Sequence, residues 1–233
     1  MFCYSAFYDA IYACKDYASE CERLLQLAAE YGAKSGCWLD VACGTGRHAE
    51  FLARHYDVTG LDRDDGMLRQ ARQRLPEARF VQADMCGADL GQQFEVISCL
   101  FSAIGYLSEQ QLPQACANFA RHLKPGGVLM IEPWLRREML RPGHVVVDQA
   151  EADGAKVVRM ARLQVEGRVS ICQFHYLVGT DEEIRHEFEE HRLTLFSLDQ
   201  YRQSLEQAGL RYSWDEQGLT GRGLLIGVKE SPG

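Results

Sequence analysis

One segment narrows the possibilities more than any other: CWLDVACGTG, residues 37–46, where a short apolar run meets glycines at positions 44 and 46. An apolar run of this length that stops at glycine and passes into helix-forming residues, Arg47 to His55, reads as a strand turning into a helix. The same punctuation repeats. A strand from Asp57 to Leu61 ends on Asp62, a helix from Asp65 to Leu75 stops before Pro76, and the strand ARFVQAD ends on Asp84. FEVISCL and GVLMIEPW supply a fourth and a fifth strand, with a helix from Leu112 to Leu123 and the turn KPGG between them. Upstream, Cys21, Leu24, Leu25 and Ala28 recur at helical spacing and predict a helix from Asp16 to Tyr31, closed by Gly32. Apolar strands alternating with helices imply a parallel sheet covered on both faces, an α/β doubly wound sandwich.

After Trp134 the texture changes. VVVD, KVVRMARLQV, RVSICQFHYLV and HEFEEHRLTLF carry alternation and β-branched residues, with turns at Asp153-Gly154, Glu166-Gly167 and Gly179. These predict an antiparallel β insertion, residues 145–195, lying over the carboxyl edge of the parallel sheet and setting the substrate. Residues 1–144 and 196–233 form the domain it interrupts. A helix at 198–208, capped by Ser197 and stopped by Gly209, and strands at about 211–215 and 223–229 complete that domain.

Charge and cysteine usage bear on partners. The 233 residues carry 25 Lys and Arg against 33 Asp and Glu, a formal net charge of −8. Such a chain gains nothing from phosphate counterion release, which argues against a nucleic-acid partner. The longest apolar run, Val96 to Leu107, is broken by Ser98, Ser102 and Gly105 and is too short to span a membrane. The opening MFCYSAFYDAIY lacks the basic segment and cleavage site of a signal peptide. The 9 cysteines are odd in number and never spaced Cys-x-x-Cys, so neither a disulfide framework nor a metal site is expected. The expectation is a cytoplasmic protein with reduced thiols and no metal, with a homodimer left open.

Ligands of doubly wound sheets bind outside the strand carboxyl ends. Asp40 sets a carboxylate beside the glycine turn, and Asp62 ends the neighbouring strand, where it can accept two hydrogen bonds from a ribose diol. Asp84 ends the third strand, positioned to accept from an exocyclic amine. Gly44 and Gly46 let the backbone bend tightly and a ligand approach main-chain N–H groups. Together they outline one adenosine-sized site. The run from Gly44 to Ala49 also fits the dinucleotide fingerprint G-x-G-x-x-A, which keeps an NAD(P)-dependent oxidoreductase or a non-catalytic nucleotide-binding module as alternatives. A pyrophosphate is repelled by Asp40, whereas a methionyl ammonium is attracted, so the charges favour S-adenosylmethionine.

DVACGTG with an acid closing the second strand resembles the class I S-adenosylmethionine-dependent methyltransferases, with Ala42 in place of that motif's usual first glycine. FSAIGYL, IEPW and EHRLTLF are more specific. They are similar to the N,N-dimethyltransferases that act on nucleotide-linked amino sugars in antibiotic biosynthesis, and resembling stretches span nearly the whole chain. The resemblance implies a Rossmann-like fold, S-adenosylmethionine as cofactor, S-adenosylhomocysteine as its product, and a small-molecule substrate. That substrate is an amino sugar on a nucleotide diphosphate, with N- or O-methylation of another natural-product precursor as the alternative.

Carried over residue by residue, the resemblance assigns Tyr8 and Tyr17 to the methionyl carboxylate, and Ala42 and Gly44 to the methionyl chain. Asp62, with Arg63 beside it, goes to the ribose, Met67 to the adenine face, and Asp84 with Met85 to the adenine edge. Leu100 to Ser102 line the sulfonium side. Tyr106 stands where the subgroup has a His or Tyr beside the sugar, and Glu132, Trp134, His175, Tyr176 and Arg222 complete the pocket. Two departures lie on the substrate side. Leu135-Arg136-Arg137 follows EPW in place of a second Trp, and Tyr4 stands nearer Tyr8-Asp9 than the subgroup's N-terminal aromatic does.

Methyl transfer is an in-line displacement at a sulfonium carbon, so the protein's task is to hold a neutral amine about 3 Å from that carbon. If a base removes the amine proton, Tyr106, Glu132, His175 and His191 are the candidates, though positioning alone is expected to suffice. His175 and Tyr176 adjoin in one strand, so only one of them can face the pocket. In HEFEEH, alternation sets His186, Phe188 and Glu190 on one face and Glu187, Glu189 and His191 on the other, which separates the two histidines as metal ligands. Arg222, flanked by glycines, is expected near a phosphate.

Overall fold

The computed structural model describes residues 3–152 and 154–231, the first four of them by backbone alone, so the Tyr4 side chain and Asp153 lie outside the described residues. In chain order the elements are α1 (Cys3–Ile11), α2 (Tyr17–Glu30), β1 (Cys37–Val41), α3 (Arg47–Leu52), β2 (Asp57–Asp62), α4 (Asp65–Arg74) and β3 (Arg79–Gln82). There follow β4 (Phe94–Cys99), α5 (Gln111–His122), β5 (Leu123–Ile131), β6 (Val145–Ala152), β7 (Ala155–Glu166), β8 (Val169–Gly179) and β9 (Ile184–Thr194). The chain closes with α6 (Leu198–Gln207), β10 (Leu210–Asp215) and β11 (Leu224–Lys229). None of the described helices is long and apolar enough to cross a membrane.

The elements gather into two compact units, one of residues 16–136 with those from Phe196 onward, the other of residues up to Lys15 with 137–195. The larger unit is built on a 7-stranded sheet in the order β10-β11-β5-β4-β1-β2-β3. Strands β1 to β5 run parallel, and β10 and β11 are antiparallel additions at one side. The chain goes from β1 outward to β2 and β3, then returns to the other side of β1 for β4. The reversal of direction therefore falls between β1 and β4, where sheets of this kind open a crevice at the strand ends. Strand alternation sends Trp38, Val96, Val128 and Met130 into one apolar layer and Leu39, Ile97, Leu129 and Ile131 into the other, so each face of the sheet has its own core. Helix starts are fixed locally: Asp16 and Asp64 cap α2 and α4, and Ser197 and Gln200 form a reciprocal capping box at α6.

Three details differ from the expectation. The KPGG segment is not a free turn, because β5 begins at Leu123 directly after α5 and a register shift against β4 between Phe94 and Val96 absorbs the glycines. Strand β3 ends at Gln82, so Asp84 stands beyond the ladder. Helix α1 has no counterpart in the sequence reading, although Phe7, Tyr8, Ile11 and Tyr12 recur at helical spacing.

The smaller unit is a 4-stranded antiparallel meander, β6-β7-β8-β9. Phe7 and Ile11 of α1 pack with Ala155, Val157, Tyr176 and Val178 on one face of it. Residues 3–15 and 137–144, expected to belong to the interrupted domain, instead group with this sheet, because its apolar face is what the apolar side of α1 covers. Arg159 is buried on the same face, donating through Nε and Nη2 to Asp148 Oδ2 at 2.9 and 2.7 Å and through Nη1 to the Tyr12 hydroxyl at 2.9 Å. The opposite face carries Val147, Met160, His175 and Phe188 in one cross-strand row, all exposed.

Candidate active site

Strand alternation turns Asp40 to the same side as Trp38, and the β1–β4 register sets it opposite Ser98. Ser98 Oγ donates to Asp40 Oδ1 at 2.9 Å and accepts the Trp38 indole N–H at 2.9 Å. Asp40 is only 1% exposed, and its second oxygen, Oδ2, has no hydrogen-bond partner among the described residues. Burial pushes this carboxyl up to about 6. A buried carboxylate oxygen left unpaired at the end of a strand is a receptor for a cationic donor.

The next residues form the turn. Ala42, Gly44 and Gly46 all have positive φ, at 54°, 55° and 77°. The two glycines serve different ends. A Cβ on Gly44 would meet nothing within 4 Å, so its backbone borders open space, whereas a Cβ on Gly46 would lie 3.2 Å from the Ala71 methyl. Gly46 thus lets the start of α3 close onto α4, and Gly44 leaves room for a ligand. Asp62 ties this turn to β2: its Oδ2 accepts the Gly44 N–H at 2.8 Å and its Oδ1 the Asp64 N–H at 2.9 Å. Burial raises the Asp62 carboxyl above the usual range. Asp64 in turn caps α4 at the N–H of buried Met67, while Arg63 is exposed and its carbonyl accepts from Gln82. Asp84 is also exposed, its carboxylate accepting the Cys86 N–H at 2.7 Å, and the Met85 carbonyl accepts from Asn118 at 2.9 Å.

Behind Asp40 lies a polar cluster that the sequence reading missed. His48 Nε2 is 2.8 Å from Glu20 Oε2, both side chains buried, and the Tyr17 ring meets the His48 ring edge-on at 4.9 Å. The Arg47 guanidinium lies 5.0 Å from the centre of the same Tyr17 ring. A signal was available: Glu20 falls on the helical stripe Tyr17, Glu20, Cys21, Leu24, and an acid in an apolar stripe needs a buried partner.

At the end of β4, Leu100 is buried in the core, and Phe101 and Ser102 follow with φ of 51° and 66°. Fully buried Glu132 stands just past β5. Its Oε2 accepts the Phe101 N–H at 2.8 Å and its Oε1 the Thr220 hydroxyl at 2.6 Å. Each Glu132 oxygen thus accepts one hydrogen bond from the scaffold, and the carboxylate braces the turn at Phe101 against the loop that carries Thr220. Ser102 Oγ donates to the Pro133 carbonyl at 3.1 Å and accepts from Arg222 Nη1 at 2.8 Å. The Arg222 guanidinium lies 5.8 Å from the Phe101 ring and 5.5 Å from the Trp134 ring. The Trp134 indole N–H is buried without a partner among the described residues, and Tyr106 is exposed on the short helical turn Ala103–Tyr106.

Four expected site residues with described side chains belong to the smaller unit. Tyr8 is half-buried with its ring 4.8 Å from that of Tyr12. Tyr176 is fully buried in the core under α1, which corrects its assignment as a substrate-facing residue: alternation points it inward, and burial pushes its phenol up. His175 points to the other face, its Nδ1 3.0 Å from His186 Nε2 with the rings stacked. His191 lies beside Phe174, with Nε2 3.4 Å from Glu189.

Comparison with known proteins bears on this arrangement. The model of a methyltransferase domain family matches residues 39–127, which span the glycine turn and β1 to the start of β5. A Streptomyces fradiae protein, dTDP-3-amino-3,6-dideoxy-alpha-D-glucopyranose N,N-dimethyltransferase, is 40% identical over 222 residues, 94% of this chain and 87% of that one. The chain belongs to the amino-sugar N,N-dimethyltransferase family. Among solved structures, Streptomyces venezuelae DesVI is 38% identical, with a TM-score of 0.86 over 92% of each chain. The S-adenosylmethionine-bound CalS10 of Micromonospora echinaspora, an amino pentose methyltransferase, is 34% identical, with a TM-score of 0.83 over 92% of each chain. As a member of the family the chain is an S-adenosylmethionine-dependent methyltransferase, and its mixed α/β architecture is that of the class I fold. The dinucleotide alternative falls, consistent with an unpaired carboxylate where a pyrophosphate would have to sit.

Proposed function

We propose that this methyltransferase N-methylates the amine of a dTDP-linked deoxy-amino sugar, in two rounds that end in a dimethylamine. The observation that carries the reading is the reach of the relatedness, which runs through both units rather than the cofactor-binding half alone. S-adenosylmethionine supplies an activated methyl group on a cationic sulfur, so the chain's residues have only to bind, orient and exclude. Asp40 Oδ2 takes the methionyl ammonium, and the open backbone at Gly44, with Ala42 before it, borders the methionyl chain. Asp62 keeps a free lone pair on each oxygen for the ribose hydroxyls after accepting its two backbone N–H groups. Met67 and Leu100 provide apolar walls, Asp84 and Met85 meet the adenine edge, and Tyr17 serves the methionyl carboxylate. Tyr106, Trp134 and Arg222 face the acceptor, with the Trp134 N–H and the Arg222 guanidinium both suited to oxygens of a sugar diphosphate.

No strong base is required. A sugar amine needs only a modest fall in pKa to be neutral near pH 7, and orientation supplies the rest. The test is methyl transfer from labelled cofactor to a panel of dTDP-amino sugars and simple amines, with product masses recorded. Successive gains of one and then two methyl groups on a dTDP-amino sugar are expected. Binding of S-adenosylhomocysteine with no transfer to any amino-sugar nucleotide overturns the substrate.

A further inference from the structure

Phe101 and Ser102 are consecutive non-glycine residues in the left-handed region, with φ of 51° and 66°. Such residues cost free energy and persist only where the surroundings over-determine them, which happens chiefly at functional turns. Ser102 is fixed by the Pro133 carbonyl and by Arg222. Phe101 is held at its N–H by Glu132 Oε2. The other oxygen of that carboxylate is held by Thr220, which lies 88 residues further along in the loop between β10 and β11. The 2.6 Å hydroxyl-to-carboxylate contact has the length of a charge-assisted bond, and Thr220 itself is exposed, so it fills no core.

We infer that Thr220 and Glu132 form a positioning couple: the Thr220 hydroxyl aims the Glu132 carboxylate at the Phe101 N–H and so fixes the turn that faces the transferring methyl group. The inference rests on the proposed reading that residues 100–102 line the sulfonium side. Neither residue touches the reacting atoms. Loosening the turn widens the range of amine approach angles, and displacement at carbon is sensitive to small misplacements, so the couple acts on kcat.

Thr220→Val removes the hydroxyl at constant volume. It is expected to lower kcat about 10-fold, with KM for the amino sugar and the Kd of S-adenosylhomocysteine within about twofold of the parent, and Thr220→Ser restores most of the loss. Glu132→Gln presents a carbonyl to Phe101 and an amide to Thr220. It is expected to cost about 5-fold in kcat with the pH profile unchanged. Hydrogen exchange at the Phe101 amide should quicken in Thr220→Val and return to normal in Thr220→Ser. A Thr220→Val enzyme with parental kcat overturns the couple, as does a loss that serine does not restore or one matched by equal weakening of S-adenosylhomocysteine. So does a roughly thousandfold loss in Glu132→Gln with an altered pH limb, which marks Glu132 as the base. If the parent enzyme methylates no amino-sugar nucleotide, the substrate reading fails; the exchange experiment, which needs no acceptor, then decides the couple, unchanged protection in Thr220→Val overturning it.

Discussion

The two sheets bury their polar groups to opposite ends. In the smaller unit Arg159, Asp148 and the Tyr12 hydroxyl spend their hydrogen bonds on one another. In the larger unit the buried polar atoms near the strand ends keep something in reserve: Asp40 Oδ2 and the Trp134 N–H have no partner among the described residues, and Gly44 borders open space. The difference follows from strand direction. Parallel strands bring all their carboxyl ends to one edge, where the chain must turn and side chains leave the ladder together, whereas an antiparallel meander divides its ends between two edges. The buried Ser170 and Tyr176 hydroxyls of the smaller unit also lack a partner among the described residues, so an unpaired polar atom marks a site only where it stands, like Asp40 Oδ2, beside open backbone at the parallel strand ends.

The largest effect that tests this contrast lies in the smaller unit. Arg159→Met strands the Asp148 carboxylate and the Tyr12 hydroxyl, and should cost about 3–4 kcal/mol in urea denaturation while the affinity for S-adenosylhomocysteine stays within about twofold. A parallel collapse of that affinity breaks the division of labour. Asp40 comes next. Its folded carboxyl titrates at about 6 against an ordinary 3.8, so the stability it contributes is complete below pH 3.8 and is lost as the pH rises through about 6, up to about 3 kcal/mol. A bound ammonium favours the charged form, so S-adenosylhomocysteine should bind more tightly as pH rises from about 5 to 7, and Asp40→Asn should flatten both slopes. Calorimetry across that range checks it, and an unchanged slope in the Asn variant removes Asp40 from the site.

Asp62→Ala should weaken S-adenosylhomocysteine about 50-fold, near 2.3 kcal/mol, since it frees the Gly44 and Asp64 N–H groups as well as losing the ribose. A loss under threefold reduces it to a turn brace. The smallest effect belongs to the exposed face of the antiparallel sheet. Ile184→Thr, at a side chain 78% exposed, should change stability by less than about 0.5 kcal/mol. A loss of several kcal/mol would show that face to be covered in solution.

The same contrast explains what could be read from the residues. Strands β1 to β3 announce themselves by apolar runs that stop at Gly or Asp, and β4 and β5 by apolar runs alone, so order, edge and glycine turn are legible, and Asp40 and Asp62 stand where the punctuation puts them. Asp84 was read one step too close, because the strand stops at Gln82 and the pattern ARFVQAD cannot reveal where pairing with β2 ceases. In the meander, both faces carry apolar residues: Val157, Tyr176 and Val178 inward, Met160, Leu177 and Phe188 outward. Alternation separates His175 from Tyr176 but does not say which side is covered, and that is decided by α1. Thr220 was invisible for another reason, since its partner Glu132 is distant in sequence and a threonine in a loop carries no signal.

Cys43 gives the glycine turn one more consequence. Its side chain is buried against β2, with Sγ so close to Gly60 that a Cβ there would lie 2.8 Å away. Burial, with Asp40 and Asp62 alongside, pushes the thiol well above its usual range. A thiolate is the form that attacks electrophilic carbon, and a methyl donor bound over this loop is such an electrophile. With the donor placed as proposed above, burial first and the two acids second keep the Cys43 thiol protonated and unreactive beside it.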